Sequence, residues 1–66
     1  MHFSIWRSRD GQYYWEAVGD NIETMAVSET YTTKQSAKHA IDVVRREAAS
    51  ADVRDITDST YDRRLP

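Results

Sequence analysis

The side chains that could carry out chemistry are few, and their spacing fits no common catalytic or metal site. The two histidines, His2 and His39, are far apart in the sequence, and the chain contains no cysteine. Structural zinc sites use histidine and cysteine ligands at short, regular spacings, so the sequence predicts no metal site. No serine lies in a Gly-x-Ser-x-Gly motif, and two glycines cannot form a glycine-rich phosphate loop. The sequence therefore predicts a protein that is not an enzyme and needs no cofactor.

One short polar stretch could bind an anion. Thr32, Thr33 and Lys34 stand at the start of a predicted helix, where they supply two hydroxyl groups and one cation. The first backbone N–H groups of a helix lack partners within the helix and attract anions. These three residues are a candidate anion site, and a solvated helix start is the ordinary alternative.

The helix itself is predicted from the spacing of its apolar residues over residues 31–48. They recur on a single helical face, at Ala37, Ala40, Ile41, Val44 and Ala48. At the helix start, Thr32 and Gln35 have the spacing of a capping box, and Thr33 is an alternative N-cap. We expect the apolar face to pack on a sheet formed by the residues before it.

Three strand-like segments precede the helix, at residues 3–8, 12–18 and 22–28. Asp10-Gly11 marks the first turn and Gly19-Asp20-Asn21 the second, and strands joined by short turns form an antiparallel meander. Residues 52–57 alternate weakly and predict a short fourth strand at an edge. The predicted fold is α+β, in the order β-β-β-α-β, with the helix packed on one face of the sheet.

Side-chain alternation divides the sheet residues between two faces. Tyr13, Trp15 and Ala17 share one face, which we predict the helix covers. The opposite face carries four large residues, Trp6, Tyr14, Met25 and Val27. An uncovered apolar patch commonly marks an interface, so these four residues are a candidate interface, with a strand edge as the other candidate for subunit contact.

The size of the chain favours self-association. A 66-residue chain buries only about 60% of its unfolded surface, and without cysteine no disulfide can add stability. We predict one domain at residues 1–57, a disordered tail at residues 58–66, and a homodimer. The net charge of -2 argues against a general nucleic-acid or anionic-membrane binder. No stretch approaches the roughly 20 apolar residues of a membrane span, so we expect a cytoplasmic location and no membrane partner.

Several short segments occur in a recognisable order along the chain. They are residues 3–6 (FSIW), 10–15 (DGQYYW), 26–29 (AVSE), 31–34 (YTTK), Ala40-Ile41 with Val44, and 52–57 (DVRDIT). Together they resemble the YegP-like family of small uncharacterised prokaryotic proteins. The resemblance implies a unit of three antiparallel strands, a helix and a final strand, which many members carry twice in tandem. It also implies that a single-unit chain pairs with itself, and it brings no known reaction, ligand or catalytic residue.

Three functions remain open at this point. The first is a homodimeric interaction or structural module without catalysis. The second is a nucleic-acid-binding domain, because a meander followed by a helix is similar to integrase-type and AP2-type domains, which bind DNA through the sheet. Residues 3–28 contain two arginines and four acidic residues, however, so nucleic acid is the less favoured partner. The third is a regulator in which two subunits form a shared small-molecule cleft.

Overall fold

The computed structural model describes residues 1–58 of the chain. The elements are β1 (His2–Arg7), β2 (Tyr13–Val18), β3 (Thr24–Val27) and α1 (Lys34–Glu47), followed by a 3₁₀ turn (Ala48–Ser50). The strands form one antiparallel sheet in the order β1-β2-β3. The predicted α+β architecture, with a meander followed by one helix, is therefore confirmed.

The two hairpins have the same turn geometry. The Gly11 N–H donates to the Ser8 carbonyl at 3.0 Å, and the Ile22 N–H donates to the Gly19 carbonyl at 3.0 Å. Gly11 and Ile22 both have a left-handed backbone, with φ of 83° and 63°. Because Ile22 belongs to the turn, β3 begins two residues later than the predicted third strand.

The core lies between α1 and the face of the sheet that carries Trp15. The buried residues are Trp15, Ala17, Ala37 and Ile41, and the half-buried residues around them are Phe3, Ile5, Tyr13, Tyr31 and Ala40. The Phe3 and Trp15 rings meet edge to face with their centroids 5.5 Å apart, a favourable arrangement for aromatic pairs. The prediction that the helix covers this face is confirmed.

Of the two predicted N-caps of the helix, the structure shows Thr33. Thr33 is the N-cap, and its hydroxyl accepts a hydrogen bond from the Ser36 N–H at 3.0 Å. The capping box of Thr32 and Gln35 does not form, because α1 starts one residue later than that box requires.

The predicted fourth strand is absent from the described chain. Residues 51–56 have no regular secondary structure, and residues 57–58 form a turn. The Asp55 carboxylate accepts hydrogen bonds from the Thr57 hydroxyl at 2.7 Å and the Thr57 N–H at 3.0 Å. These two bonds hold the pKa of Asp55 below its usual value, and such local bonds favour a turn over a strand. The described order is therefore β-β-β-α, and the tail predicted at residues 58–66 lies outside the described residues except for Asp58.

Candidate interface surfaces

The first candidate surface is the outer sheet face, defined as the side of the sheet opposite α1 and carrying Trp6, Tyr14, Met25 and Val27. Trp6 and Tyr14 are directly opposed in the pairing of β1 with β2. The Trp6 side chain is 51% exposed and Tyr14 is half-buried. The structure thus brings these two predicted residues together as a neighbouring aromatic pair on a surface that α1 does not cover.

The other two predicted residues lie further along the same face. Val27 is opposed to Glu16 and is 60% exposed. Met25 lies where the register between β2 and β3 shifts, and its Sδ atom packs over Gly19. Val27 therefore adjoins the aromatic pair through β2, whereas Met25 is displaced toward the second turn.

The second and third strands and the loop between them carry acidic residues and no basic ones. Residues 12–28 contain Glu16, Asp20 and Glu23 but no lysine, arginine or histidine. The Glu16 carboxylate lies on this face and accepts a hydrogen bond from the Thr24 hydroxyl at 3.2 Å, which orients it. Asp20 forms an ion pair with the amino group of Met1.

The nearest arginine in β1 is engaged on the other side of the sheet. The Arg7 guanidinium lies 5.1 Å from the centroid of the Tyr13 ring and donates a hydrogen bond to the Tyr13 hydroxyl at 2.5 Å. Tyr13 packs against the core beneath α1. Within β1 and β2, the acidic charge of the outer sheet face is therefore not offset by an arginine or lysine directed to that face.

The second candidate surface is a groove between β1 and α1, which we call the β1–α1 groove. Its volume is about 730 Å³, and its lining residues are Met1, His2, Phe3, Ile5, Lys38, Ile41, Asp42, Val44, Arg45, Ala48 and Ala49. Val44 was predicted to face the sheet with Ile41, but it is 36% exposed because it lines this groove. The apolar floor of the groove is continuous with the core through Phe3, Ile5 and Ile41.

The β1–α1 groove is not among the surfaces that the sequence predicts. The signal that could have indicated it is the length of the apolar face of the helix, which continues past Ile41 to Val44 and Ala48. Only Ala37 and Ile41 on α1 are buried. The C-terminal half of the helix thus carries apolar surface that the sheet of the same chain leaves uncovered.

The candidate anion site at the helix start has one of its groups already engaged. The Thr33 hydroxyl accepts from the Ser36 N–H and donates to the Ser36 hydroxyl at 2.9 Å. Thr32 and Lys34 are exposed beside it. Anion binding at these three residues stays a prediction, with the Thr33 hydroxyl serving mainly the helix cap.

The part of the chain that the structure describes contains neither a cluster of metal-binding side chains nor a membrane-spanning helix. Among residues 1–58, no group of three or more histidine, cysteine, aspartate or glutamate side chains could hold a metal ion. No helix in the same range has the length and apolar character that crossing a bilayer requires.

Comparison with known proteins finds similarity over most of the chain. Residues 8–55 match the family described as Domain of unknown function (DUF1508). The UPF0339 protein NMB1088 of Neisseria meningitidis serogroup B is 34% identical over 56 residues, which cover 85% of this chain and 100% of the relative. The UPF0339 protein Atu0232 of Agrobacterium fabrum is 41% identical over 58 residues, which cover 88% of this chain and 94% of the relative.

Two solution NMR structures have the same fold. A protein from Haloferax volcanii aligns with a TM-score of 0.73 and 38% identity, over 82% of this chain and 92% of that chain. Protein ATU0232 from Agrobacterium tumefaciens aligns with a TM-score of 0.73 and 40% identity, over 91% of this chain and 97% of that chain. The names of these relatives state no activity, ligand or partner.

Proposed function

This chain belongs to the DUF1508 family, in agreement with its YegP-like resemblance, and from that premise we propose that it is a non-catalytic interaction module that works as a homodimer. The β1–α1 groove carries the proposal, because it leaves an apolar extension of the core open on one side of a small domain. Covering this surface with a second copy adds the burial that one subunit lacks.

The size of the core supports pairing. Only four residues of the described chain are buried apolar residues, and two of them are alanines, Ala17 and Ala37. Burial of apolar surface supplies most of the favourable free energy of folding, so a core of this size gives a subunit of low stability. An interface along the groove would enlarge the core of each subunit by filling the space beside Val44.

The segment after the helix supplies a suitable occupant for the groove. Residues 51–58 are exposed throughout, and the Val53 side chain is 95% exposed. This segment contains three aspartates and one arginine, whereas Lys38 and Arg45 stand on the groove with Asp42. An acidic segment that carries valine matches a groove with an apolar floor and two cations. We therefore propose that residues 51–58 of one copy lie in the β1–α1 groove of the other, beside the free edge of β1.

The test measures the molar mass of the purified 66-residue chain by light scattering over a wide range of concentrations. We expect a dimer, and we expect Val44→Asp to shift it to monomer, because a carboxylate in the groove would lose its hydration without a partner. Val27→Asp is the matched control, since Val27 is 60% exposed on the outer sheet face. A monomer at every concentration overturns the proposal. Loss of the dimer in Val27→Asp alone would instead assign the interface to the outer sheet face.

A nucleic-acid-binding function is the second candidate, and one observation favours it. An exposed Trp6 and a half-buried Tyr14 are opposed on the outer sheet face, and aromatic residues on a sheet are the surface on which single-stranded bases stack in several RNA-binding domains. The absence of cations from residues 12–28 opposes it, because phosphate contacts supply much of the affinity. Titration with a DNA duplex and a single-stranded RNA, followed by tryptophan fluorescence at low and physiological salt, tests it. Tight binding that weakens with salt would replace the proposal of a protein-interaction module.

A further inference from the structure

We infer that the outer sheet face is a docking surface for an extended, arginine-bearing segment of a partner protein. The inference rests on the proposed function in one respect, because a dimer formed through the β1–α1 groove leaves this face open. Three features of the face indicate this occupant: its charge, its aromatic pair, and the spacing of Tyr14 and Glu16 along β2.

The charge of the face selects a cationic partner. Glu16 lies on it with an oriented carboxylate, held by the Thr24 hydroxyl at 3.2 Å. Glu23 adds a carboxylate in the loop that follows β2, where Asp20 is already paired with the Met1 amino group, and residues 12–28 contain no lysine, arginine or histidine. A face of one sign raises the local concentration of partners of the opposite sign and repels those of its own.

The Trp6–Tyr14 pair favours arginine over lysine as the cation that binds this face. Trp6 is 51% exposed, and the half-buried Tyr14 is opposed to it across the strands, so the two aromatic residues are neighbours on this face. A guanidinium group stacks on an aromatic face and pairs with a carboxylate through its planar fork, whereas a lysine ammonium does neither as well. Val27, opposed to Glu16 and 60% exposed, provides an apolar surface for the methylene stem of such a side chain.

The spacing of Tyr14 and Glu16 along β2 favours a partner segment in an extended conformation. Tyr14 and Glu16 are two residues apart on β2 and point to the same face. Side chains two residues apart on a strand are separated by about 6.6 Å, in the partner as well as in β2. Alternate arginines of an extended segment can therefore place one guanidinium over the Trp6–Tyr14 pair and the next one against the Glu16 carboxylate.

The test uses three capped six-residue peptides in which arginine, lysine or glutamate alternates with alanine. Binding to the full chain is followed by tryptophan fluorescence and by NMR shifts, at about 20 mM and about 500 mM salt. We expect the arginine peptide to bind best, the glutamate peptide not to bind, and binding to weaken at high salt. We expect Glu16→Gln and Trp6→Ser each to weaken binding of the arginine peptide about fivefold or more.

Glu47→Gln is the matched control, because it removes the same charge from an exposed position on α1, away from the sheet. It should leave binding unchanged. No binding of the arginine peptide at low salt, or equal losses in Glu16→Gln and Glu47→Gln, overturns the inference.

Light scattering on the same samples separates this inference from the proposed dimer. A dimer that binds no peptide overturns the docking surface and leaves the homodimer intact. A monomer that binds the arginine peptide through Glu16 and Trp6 supports the docking surface and overturns the homodimer. A dimer that dissociates in Trp6→Ser shows that a second copy occupies the outer sheet face, which also overturns the docking surface.

Discussion

Gly11 and Ile22 occupy equivalent positions in the two hairpin loops, and both have a left-handed backbone, with φ of 83° and 63°. In each loop this residue donates its N–H to the carbonyl three residues earlier at 3.0 Å. Glycine adopts this conformation without steric cost, whereas a β-branched residue rarely does. Ile22 is also 87% exposed, so burial of its side chain does not compensate the strain within the subunit.

We predict that Ile22→Gly raises the free energy of unfolding by about 1 kcal/mol, because relief of left-handed strain exceeds the entropy that glycine adds to the unfolded chain. Chemical denaturation at a fixed protein concentration measures the change. Gly11→Ala is the matched control and should lower stability, since open space surrounds a Cβ at Gly11 and only the backbone is affected. A less stable Ile22→Gly protein would show that the isoleucine side chain contributes more than the strain costs.

The next prediction concerns the helix cap. Thr33→Ala should lower the free energy of unfolding by about 1 kcal/mol, because the Ser36 N–H loses the hydroxyl that it meets at 3.0 Å. Thr32→Ala removes an identical group one residue earlier and should change stability by less than about 0.5 kcal/mol. Thermal unfolding followed by circular dichroism compares the two variants. Equal losses, or a larger loss in Thr32→Ala, would move the N-cap to Thr32.

The sheet and the helix could be predicted from the sequence because local signals specify both. Asp10-Gly11 supplies a turn with a left-handed position, and alternation places Trp15 and Ala17 on the face that the helix covers. Ala37 and Ile41, two residues of the predicted apolar face of the helix, are both buried. These features depend on neighbours within a few residues or on the adjacent strand.

The fourth strand predicted at residues 52–57 does not form in the described chain, because alternation alone does not make a strand without an edge that pairs with it. Residues 52–57 have some alternation, but Asp55 bonds to Thr57 locally, and residues 51–56 have no regular secondary structure. The β1–α1 groove was missed for a related reason. Its shape depends on the angle at which α1 crosses β1, and the spacing of apolar residues along one helix does not specify that angle.

The role proposed for the segment after the helix leads to a third prediction. Val53→Ser should weaken self-association, seen as a lower molar mass at a given concentration, because Val53 would no longer fill the partner's groove. It should leave the unfolding of the isolated subunit nearly unchanged, since the side chain is 95% exposed there. Val27→Ser makes the same chemical change on the outer sheet face and should leave the molar mass as it is. Unchanged association in Val53→Ser would remove this residue from the dimer interface.

The last prediction concerns the acid sensitivity of the first turn. The Asp10 carboxylate accepts hydrogen bonds from the Ser8 hydroxyl and, at 3.4 Å, from the Gln12 N–H. The Ser8 hydroxyl first, and then the Gln12 N–H, hold the pKa of Asp10 below its usual value. Since the folded pKa is the lower one, these bonds stabilise the turn above the unfolded pKa of about 3.9 and lose that effect as the pH falls through the folded pKa.

We therefore expect Ser8→Ala to raise the pKa of Asp10 toward its ordinary value, which an NMR titration of the carboxyl carbon measures directly. Ser8→Ala should also be less stable than the parent chain at pH 7, with a smaller difference once Asp10 is protonated in both. Ser50→Ala is the control, because the Ser50 hydroxyl donates to the Glu47 carbonyl and to no carboxylate, so its effect should not depend on pH in this range. A stability difference for Ser8→Ala that stays constant from pH 7 to below the pKa of Asp10 would show that Ser8 acts through the turn backbone and not through the charge of Asp10.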